Sequence, residues 1–403
     1  MKKDKKIKSN SSIRKNLLIA SAGFMLGIFS FWIFGIITGP RLSKNKIDTT
    51  LLNKVQSILQ NKYNGDLDYQ KMSEGAASGA VAALGDPYTV FLTEKENKEL
   101  SDDLAGELSG IGVEIGQKNG KLTVIAPIDG TPADKAGIRA GDFIAAIDGL
   151  DSRTLTIDEA VKKIRGEKGT NVKLTVVRGS EAPREIEITR DLISVPSVSS
   201  EMKADNIGYI KIRRFGEDTG SEVRQAGQTL RSQGAKALVV DVRDNPGGYL
   251  QTAVDVASEF YSSGMVVEER SKNAKPKVDN ARPGGTLTDI PVVVLINGGS
   301  ASASEILAGA LNDNDRATLI GEKTYGKGSV QEVVCLNNLF LTSKCNGPSL
   351  KVTIANWYTP AGVNISKEGI KPEIEVKLTD DDANNGRDPQ LDKAVETAKQ
   401  SIK

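Results

Sequence analysis

Apolar positions along the chain change their spacing four times, and each change marks a different kind of element. Residues 17–38 read LLIASAGFMLGIFSFWIFGIIT, 22 residues without a charge. At about 1.5 Å per residue that run is long enough to span a bilayer. Over 49–63, Leu51, Leu52, Val55, Ile58 and Leu59 recur at helical spacing, and a second helical stretch over 69–84, rich in Ala and Gly, stops at Gly85-Asp86-Pro87. From 104 to 189 the pattern turns to short β-like runs (112–115, 121–125, 143–147, 172–177, 184–188) around one helix at 156–164, with Ser152 or Thr154 as candidate caps. From 196 to 378, strand-like runs at 207–212, 237–242, 291–296, 317–320, 329–334 and 350–355 alternate with helical runs at 219–233, 250–260 and 303–311. That alternation predicts an α/β core, closed by an amphipathic helix over 389–402. No internal repeat is visible.

The expected fold is therefore multidomain α+β. It comprises a basic end (1–15), a transmembrane anchor (16–38), a helical region (45–100), a β-rich domain (104–190), a mixed α/β core (191–378) and a C-terminal helix (386–403) closing that core. The chain's 403 residues are too many for one compact core.

Charge sharpens the picture at the N-terminal end. Residues 1–46 carry ten Lys/Arg against one Asp, although the whole chain is only +1. The basic side stays cytoplasmic by the positive-inside rule, which puts the body outside the cytoplasm. A cleaved signal peptide would have a shorter apolar run and a small-residue cleavage site; here ITGPRLSKNK follows instead, and a retained single-pass anchor is the reading. The acidic balance of the remainder excludes a nucleic-acid binder of the usual basic kind.

The chain contains no His. This removes the Ser-His-Asp triad, the Cys-His dyad and every His-containing metal site. Acid–base chemistry near neutral pH falls to Lys, a carboxylate, Tyr or Cys. Cys335 and Cys345 are the two cysteines. Outside the cytoplasm they either pair or remain free thiols, and spacing alone leaves both open.

Two motif clusters carry chemistry. In Leu108-Ser109-Gly110-Ile111-Gly112-Val113, glycines precede a strand. Such a loop either makes a tight turn or presents amides as an anion-holding nest beside an edge that an extended peptide can join. The later run TPADKAGIRAGD (131–142), continuing into Ile144 and Ile147-Asp148-Gly149, makes residues 104–190 resemble a PDZ domain of the bacterial protease-associated kind. The resemblance implies capture of a peptide C-terminus. The carboxylate would meet the amides of Ile111, Gly112 and Val113, and Ile157, Val161 and Ile164 would line the pocket. Arg165 reads as a solvated helix end, with coupling of two domains as the alternative.

The second cluster is Asn297-Gly298-Gly299-Ser300-Ala301-Ser302-Ala303-Ser304-Glu305 after an apolar strand. A Ser where a strand runs into a helix lies beside helix N-terminal amides that can stabilise an oxyanion. Three alternating serines leave the nucleophile open at this point, and a Ser-rich N-cap is the bland reading. In Gly321-Glu322-Lys323-Thr324-Tyr325-Gly326-Lys327-Gly328, Lys327 sits between glycines before a β-like run. Partly buried, such a Lys loses its proton near neutral pH and can deprotonate a serine; exposed, it is only a turn residue.

Together these stretches resemble the carboxyl-terminal processing (tail-specific) peptidases, a Ser–Lys serine protease family, over about 45–402, including Gly85-Asp86-Pro87-Tyr88. The resemblance implies that Ser302 is the nucleophile, Lys327 the general base and Gln331 the residue that positions it. Ala303 and Gly247 would donate oxyanion amides, and Glu305 would have a supporting role. It also implies substrates with accessible C-termini, a possible homodimer through the N-terminal helices, and no metal or organic cofactor. Three rivals are weaker. Gly321 to Lys327 begins a P-loop, but Gly328 stands where Ser or Thr is needed and a strand follows instead of a helix. Ser200 and Lys203 fit S-x-x-K, without its companion motifs. A catalytically silent, membrane-tethered PDZ adaptor is the third.

Overall fold

The computed structural model describes residues 48–402 apart from 119–120, 129, 195, 273, 338–344, 346, 380 and 383–384. The anchor expected at 16–38 and the basic end before it lie outside the described residues. Among the described residues no helix is long and apolar enough to cross a membrane. The chain divides into two units, Met1–Met72 and Ser73–Lys403. In the first, Thr50–Lys62 is helical, and its Leu51, Leu52, Val55 and Ile58 are exposed.

The second unit holds a mixed α/β core and a β-rich domain. The core is built on a six-stranded sheet in the order Val198–Lys203, Ile207–Ile212, Ala237–Asp241, Val292–Ile296, Ala317–Gly321, Ile374–Glu375. The first pair is antiparallel and the others are parallel. Ala237–Asp241 and Val292–Ile296 are buried along their whole length, as parallel strands covered on both faces must be. Leu238, Val240 and Val294 face the helices Thr219–Ser232, Leu250–Phe260 and Ala303–Asp313. Val239, Val293 and Leu295 face Ala394 and Ala398 of the closing helix Pro389–Gln400.

A second, five-stranded sheet runs Val90–Leu92, Ser349–Tyr358, Met265–Arg270, Lys277–Asn280, with Ser329–Cys335 paired to Ser349–Tyr358. The region expected to be helical over 45–100 is thus not helical throughout: Val90, Phe91 and Leu92 pair with Lys351, Leu350 and Ser349. A further helix, Glu94–Ala105, follows, capped by Thr93 and Glu96 in a reciprocal capping box. Cys335 and Cys345 are bonded, with their Cα atoms 5.5 Å apart.

In the β-rich domain the strands Val113–Lys118, Lys121–Pro127, Phe143–Ile147, Asn171–Val177 and Arg184–Thr189 form one sheet over Ile111, Val124, Ile138, Ile144 and Leu174. Its helix Ile157–Ile164 is capped by Thr156, whose Oγ1 accepts from the Glu159 N–H at 3.2 Å. Ser152 and Thr154, the expected caps, lie in a 3₁₀ turn before it. Thr156-x-x-Glu159 supplies the reciprocal pair that neither of them has.

One buried ion-pair network ties the core sheet to the C-terminal helix. Asp241 is fully buried and accepts from Arg243 Nη2 at 2.7 Å and Tyr209 Oη at 2.7 Å. Burial works against its charge, yet the Arg243 guanidinium holds its carboxyl below the usual range. Arg243 reaches on to Asp388 (2.8 Å) and Gln390 (2.9 Å), at the start of Pro389–Gln400. Arg243→Ala would leave Asp241 buried without its guanidinium. The expected loss is about 3–5 kcal/mol of unfolding free energy, read as a lower urea midpoint; a loss under about 1 kcal/mol would contradict this role.

Candidate active site

The strand Val292–Ile296 ends in a tight turn that delivers Ser302 to the first position before the helix Ala303–Asp313. Ser302 has φ 56° and ψ −114°, a region that side-chain-bearing residues rarely adopt and that is often held at functional sites. The turn is fixed from below. Ser300 is fully buried, accepts from the Asn297 N–H (3.0 Å) and donates to the Val242 carbonyl (2.8 Å). Ser304 is fully buried and donates to the Asn245 carbonyl at 2.9 Å. Both hydroxyls are therefore committed to structure. Ser302 is half-buried, and its hydroxyl donates to no acceptor among the described residues.

Glu305, fully buried one turn into that helix, joins the serine turn to the lysine loop. Its Oε2 accepts from the Ser302 N–H at 2.8 Å and the Lys327 N–H at 3.0 Å. Its Oε1 accepts from Thr324 Oγ1 at 2.6 Å and the Gly326 N–H at 2.7 Å. The backbones of Ser302 and Lys327 are therefore never more than two hydrogen bonds apart. On its other side Lys327 is held by Trp357, 1% exposed, whose Nε1 donates to the Lys327 carbonyl at 2.9 Å. Gly326 turns at φ 93°, and a Cβ there would meet the Gly369 nitrogen at 2.9 Å.

Burial pushes the Lys327 amine down from 10.5 to about 8. The positive charge of Lys351 adds to this, and Glu305 opposes it. Lys351, on the neighbouring strand, is itself lowered by burial. Among the described residues no hydrogen bond joins the Ser302 hydroxyl to the Lys327 amine; such bonds are often loose before substrate binds. The Gln331 side chain does not reach Lys327 here. Its Nε2 donates to Ser329 Oγ (2.9 Å) and Thr353 Oγ1 (3.3 Å). The cause is local: a register shift between Val330 and Gln331 sets Gln331 opposite Thr353.

The two expected oxyanion donors meet beside Ser302 but differ in state. The Ala303 N–H, at the helix start, has no partner among the described residues. Gly247, at φ 103°, packs so closely that a Cβ would stand 2.8 Å from Ser302 Cβ and 3.0 Å from the Ala303 nitrogen. Its own N–H, however, donates to Asn245 Oδ1 at 2.9 Å, so it is not open to an oxyanion in this arrangement.

In the β-rich domain, Ile111, Gly112, Val113, Val161 and Ile164 line a cavity of about 190 Å³, with Arg165 among the other lining residues. Its loop is held by the Ile111 and Gly112 carbonyls, which accept from Ala133 (2.8 Å) and Ile128 (2.9 Å). Ile157 does not line it: it is 39% exposed, at the first position of its helix and a full turn from Val161. Arg165 is exposed and pairs with Asp103 at 3.2 Å. In the sequence, Tyr88 and Thr324 stand only as members of the stretches 85–88 and 321–328, without a role of their own; here Tyr88 and Lys351 lie near the Lys327 amine, Trp357 holds its carbonyl and Thr324 bonds Glu305. Trp357 and Lys351 lie outside every motif, and of these two only the Trp357 indole carried a signal, as a donor that needs an acceptor when buried.

Residues 206–376 match the family model of peptidase family S41, 123–178 that of a PDZ domain, and 40–96 that of the activating protease CtpB N-terminal domain. The carboxy-terminal processing protease CtpA of Bacillus subtilis is 37% identical over 330 residues, which cover 82% of this chain and 69% of that one. A carboxy-terminal-processing protease of Bartonella bacilliformis is 41% identical over 316 residues, covering 77% and 70%. Among solved structures, the photosystem II D1 C-terminal processing protease is 29% identical with a TM-score of 0.51, covering 81% of this chain and 87% of its own.

Glu305→Ala would strand three N–H groups and one hydroxyl in a dry site. The expected result is about 3 kcal/mol or more of lost stability in urea unfolding, with loss of any activity that needs Ser302 and Lys327 together. A variant with wild-type stability and activity would show that the clasp is dispensable.

Proposed function

Because the chain belongs to the carboxy-terminal processing proteases, serine peptidases of family S41, we propose that it cleaves proteins near accessible C-termini with Ser302 as nucleophile and Lys327 as general base. The observation that carries this reading is the Glu305 carboxylate shared by the two loops, beside an amine that burial has brought to about 8. Ser302 Oγ attacks the scissile carbonyl while the neutral Lys327 amine takes its proton. The Ala303 N–H, at a helix N-terminus, holds the tetrahedral oxyanion. The Gly247 amide joins it once its bond to Asn245 opens. Lys327 then protonates the leaving amine, and water hydrolyses the acyl-enzyme. Gln331 acts in this cycle only after leaving Thr353 and Ser329.

The PDZ cavity, apolar along Ile111, Val161 and Ile164 and lined also by Gly110 and Gly112, suits the end of a peptide tail. Residues 17–38 would anchor the chain in the membrane with the body extracytoplasmic. The charge asymmetry at the N-terminal end and a disulfide favour that placement. Exposed Leu51, Leu52, Val55 and Ile58 favour a homodimer.

The test is cleavage of an unfolded protein with an apolar C-terminus by the full-length chain. Ser302→Ala and Lys327→Ala should each lower kcat by about 10³-fold or more. The wild-type kcat/KM should rise with pH through about 8, because the base works only when neutral and is protonated below that value. Activity retained in Ser302→Ala would overturn the assignment.

A further inference from the structure

The turn at 85–89 grips the site from outside the core sheet. Gly85, at φ 69°, lies just past the helix Tyr69–Ala82. The Asp86 carboxylate accepts from the Tyr88 N–H at 3.0 Å and Thr89 Oγ1 at 2.6 Å. Thr89 is 5% exposed, and its Oγ1 accepts from the Thr353 N–H at 3.1 Å. Thr353 Oγ1 is the group that Gln331 donates to, and the next residue after Thr89, Val90, pairs with Lys351. The turn is thus locked to the strand bearing Lys351 and Thr353. In that position the Tyr88 ring centroid stands 5.4 Å from Lys327 Nζ, and its hydroxyl lies beside that of Tyr325.

We infer that Tyr88 is a positioning residue for the peptidase reaction: its ring walls the Lys327 amine off from water and keeps it neutral where Ser302 needs it. This rests on Lys327 being the base. The charged groups facing that amine from other elements are Glu305, on the helix behind Ser302, and Lys351, on the strand opposite Val90. Glu305 favours the protonated amine and Lys351 the neutral one. Asp86 acts on Tyr88 instead. The ring itself has two opposed effects. Its π face attracts an ammonium, but at 5.4 Å this is close to the limit of about 6 Å for such contacts. Excluding water disfavours the ammonium, and burial is the largest influence on Lys327. Water exclusion therefore wins, and removing the ring should raise the amine toward its ordinary value.

The experiment is the pH profile of kcat/KM for the full-length chain, comparing wild type with Tyr88→Phe, Tyr88→Leu and Lys327→Ala. Tyr88→Phe keeps the ring and should keep the acidic limb near that of wild type. Tyr88→Leu should move that limb upward by about 0.5–1 pH unit. Its deficit, about 3–10-fold at pH 7, should close by about pH 9.5, a recovery that a merely structural lesion would not give. If Tyr88→Leu shows no cooperative melting transition, Tyr88→Met takes its place with the same expectation. An inactive Lys327→Ala with an unshifted limb in Tyr88→Leu would overturn the role of Tyr88 alone. An active Lys327→Ala would overturn the base assignment and this inference together.

Discussion

The site depends on one buried carboxylate. Glu305 takes four hydrogen bonds from two loops that are far apart in sequence, and it does so with no exposure to solvent. Burying a carboxylate is costly unless its lone pairs are filled by good donors, so the two loops have a strong preference for the arrangement that fills them. The helix Ala303–Asp313 carries Glu305 at its third position, where a carboxylate also complements the helix N-terminus. The unusual backbone of Ser302 is thus held by the same group that fixes Lys327.

The lysine's surroundings change the state of its amine. A Lys in water would hold its proton at neutral pH. Here the Trp357 indole fixes the Lys327 carbonyl, burial brings the amine to about 8, and the positive charge of Lys351 on the neighbouring sheet adds to this. The pull of Glu305 toward the charged form is outweighed. Gln331 is engaged with Thr353 and Ser329, and the Gly247 amide with Asn245.

Much of the fold was legible in the sequence because its strongest signals are local. The strand runs Ile207–Ile212 and Phe143–Ile147 and the helix Leu250–Phe260 stand where their periodicity puts them. The strand Val90–Leu92 was missed because three apolar residues carry no period, and its identity comes from pairing with Ser349–Lys351 across the chain. At the site, motif and resemblance singled out Ser302, Lys327 and Glu305. Burial then separated Ser302 from Ser300 and Ser304, which no spacing could do. The direction of Gln331 depends on a register shift between Val330 and Gln331, and the wall formed by Tyr88 depends on a long-range lock through Thr353. Neither is encoded within a sequence window.

On the proposed reading, a lysine neutralised by its surroundings activates Ser302. The most direct measurement is the rate at which a fluorophosphonate acylates the full-length chain across pH, with the adduct mapped by peptide mass spectrometry. A single adduct on Ser302 is expected, formed at a rate that rises through about pH 8, the pH at which the base loses its proton. An adduct on Ser300 or Ser304, or a rate that rises only near pH 10.5, the ordinary value for lysine, would contradict it.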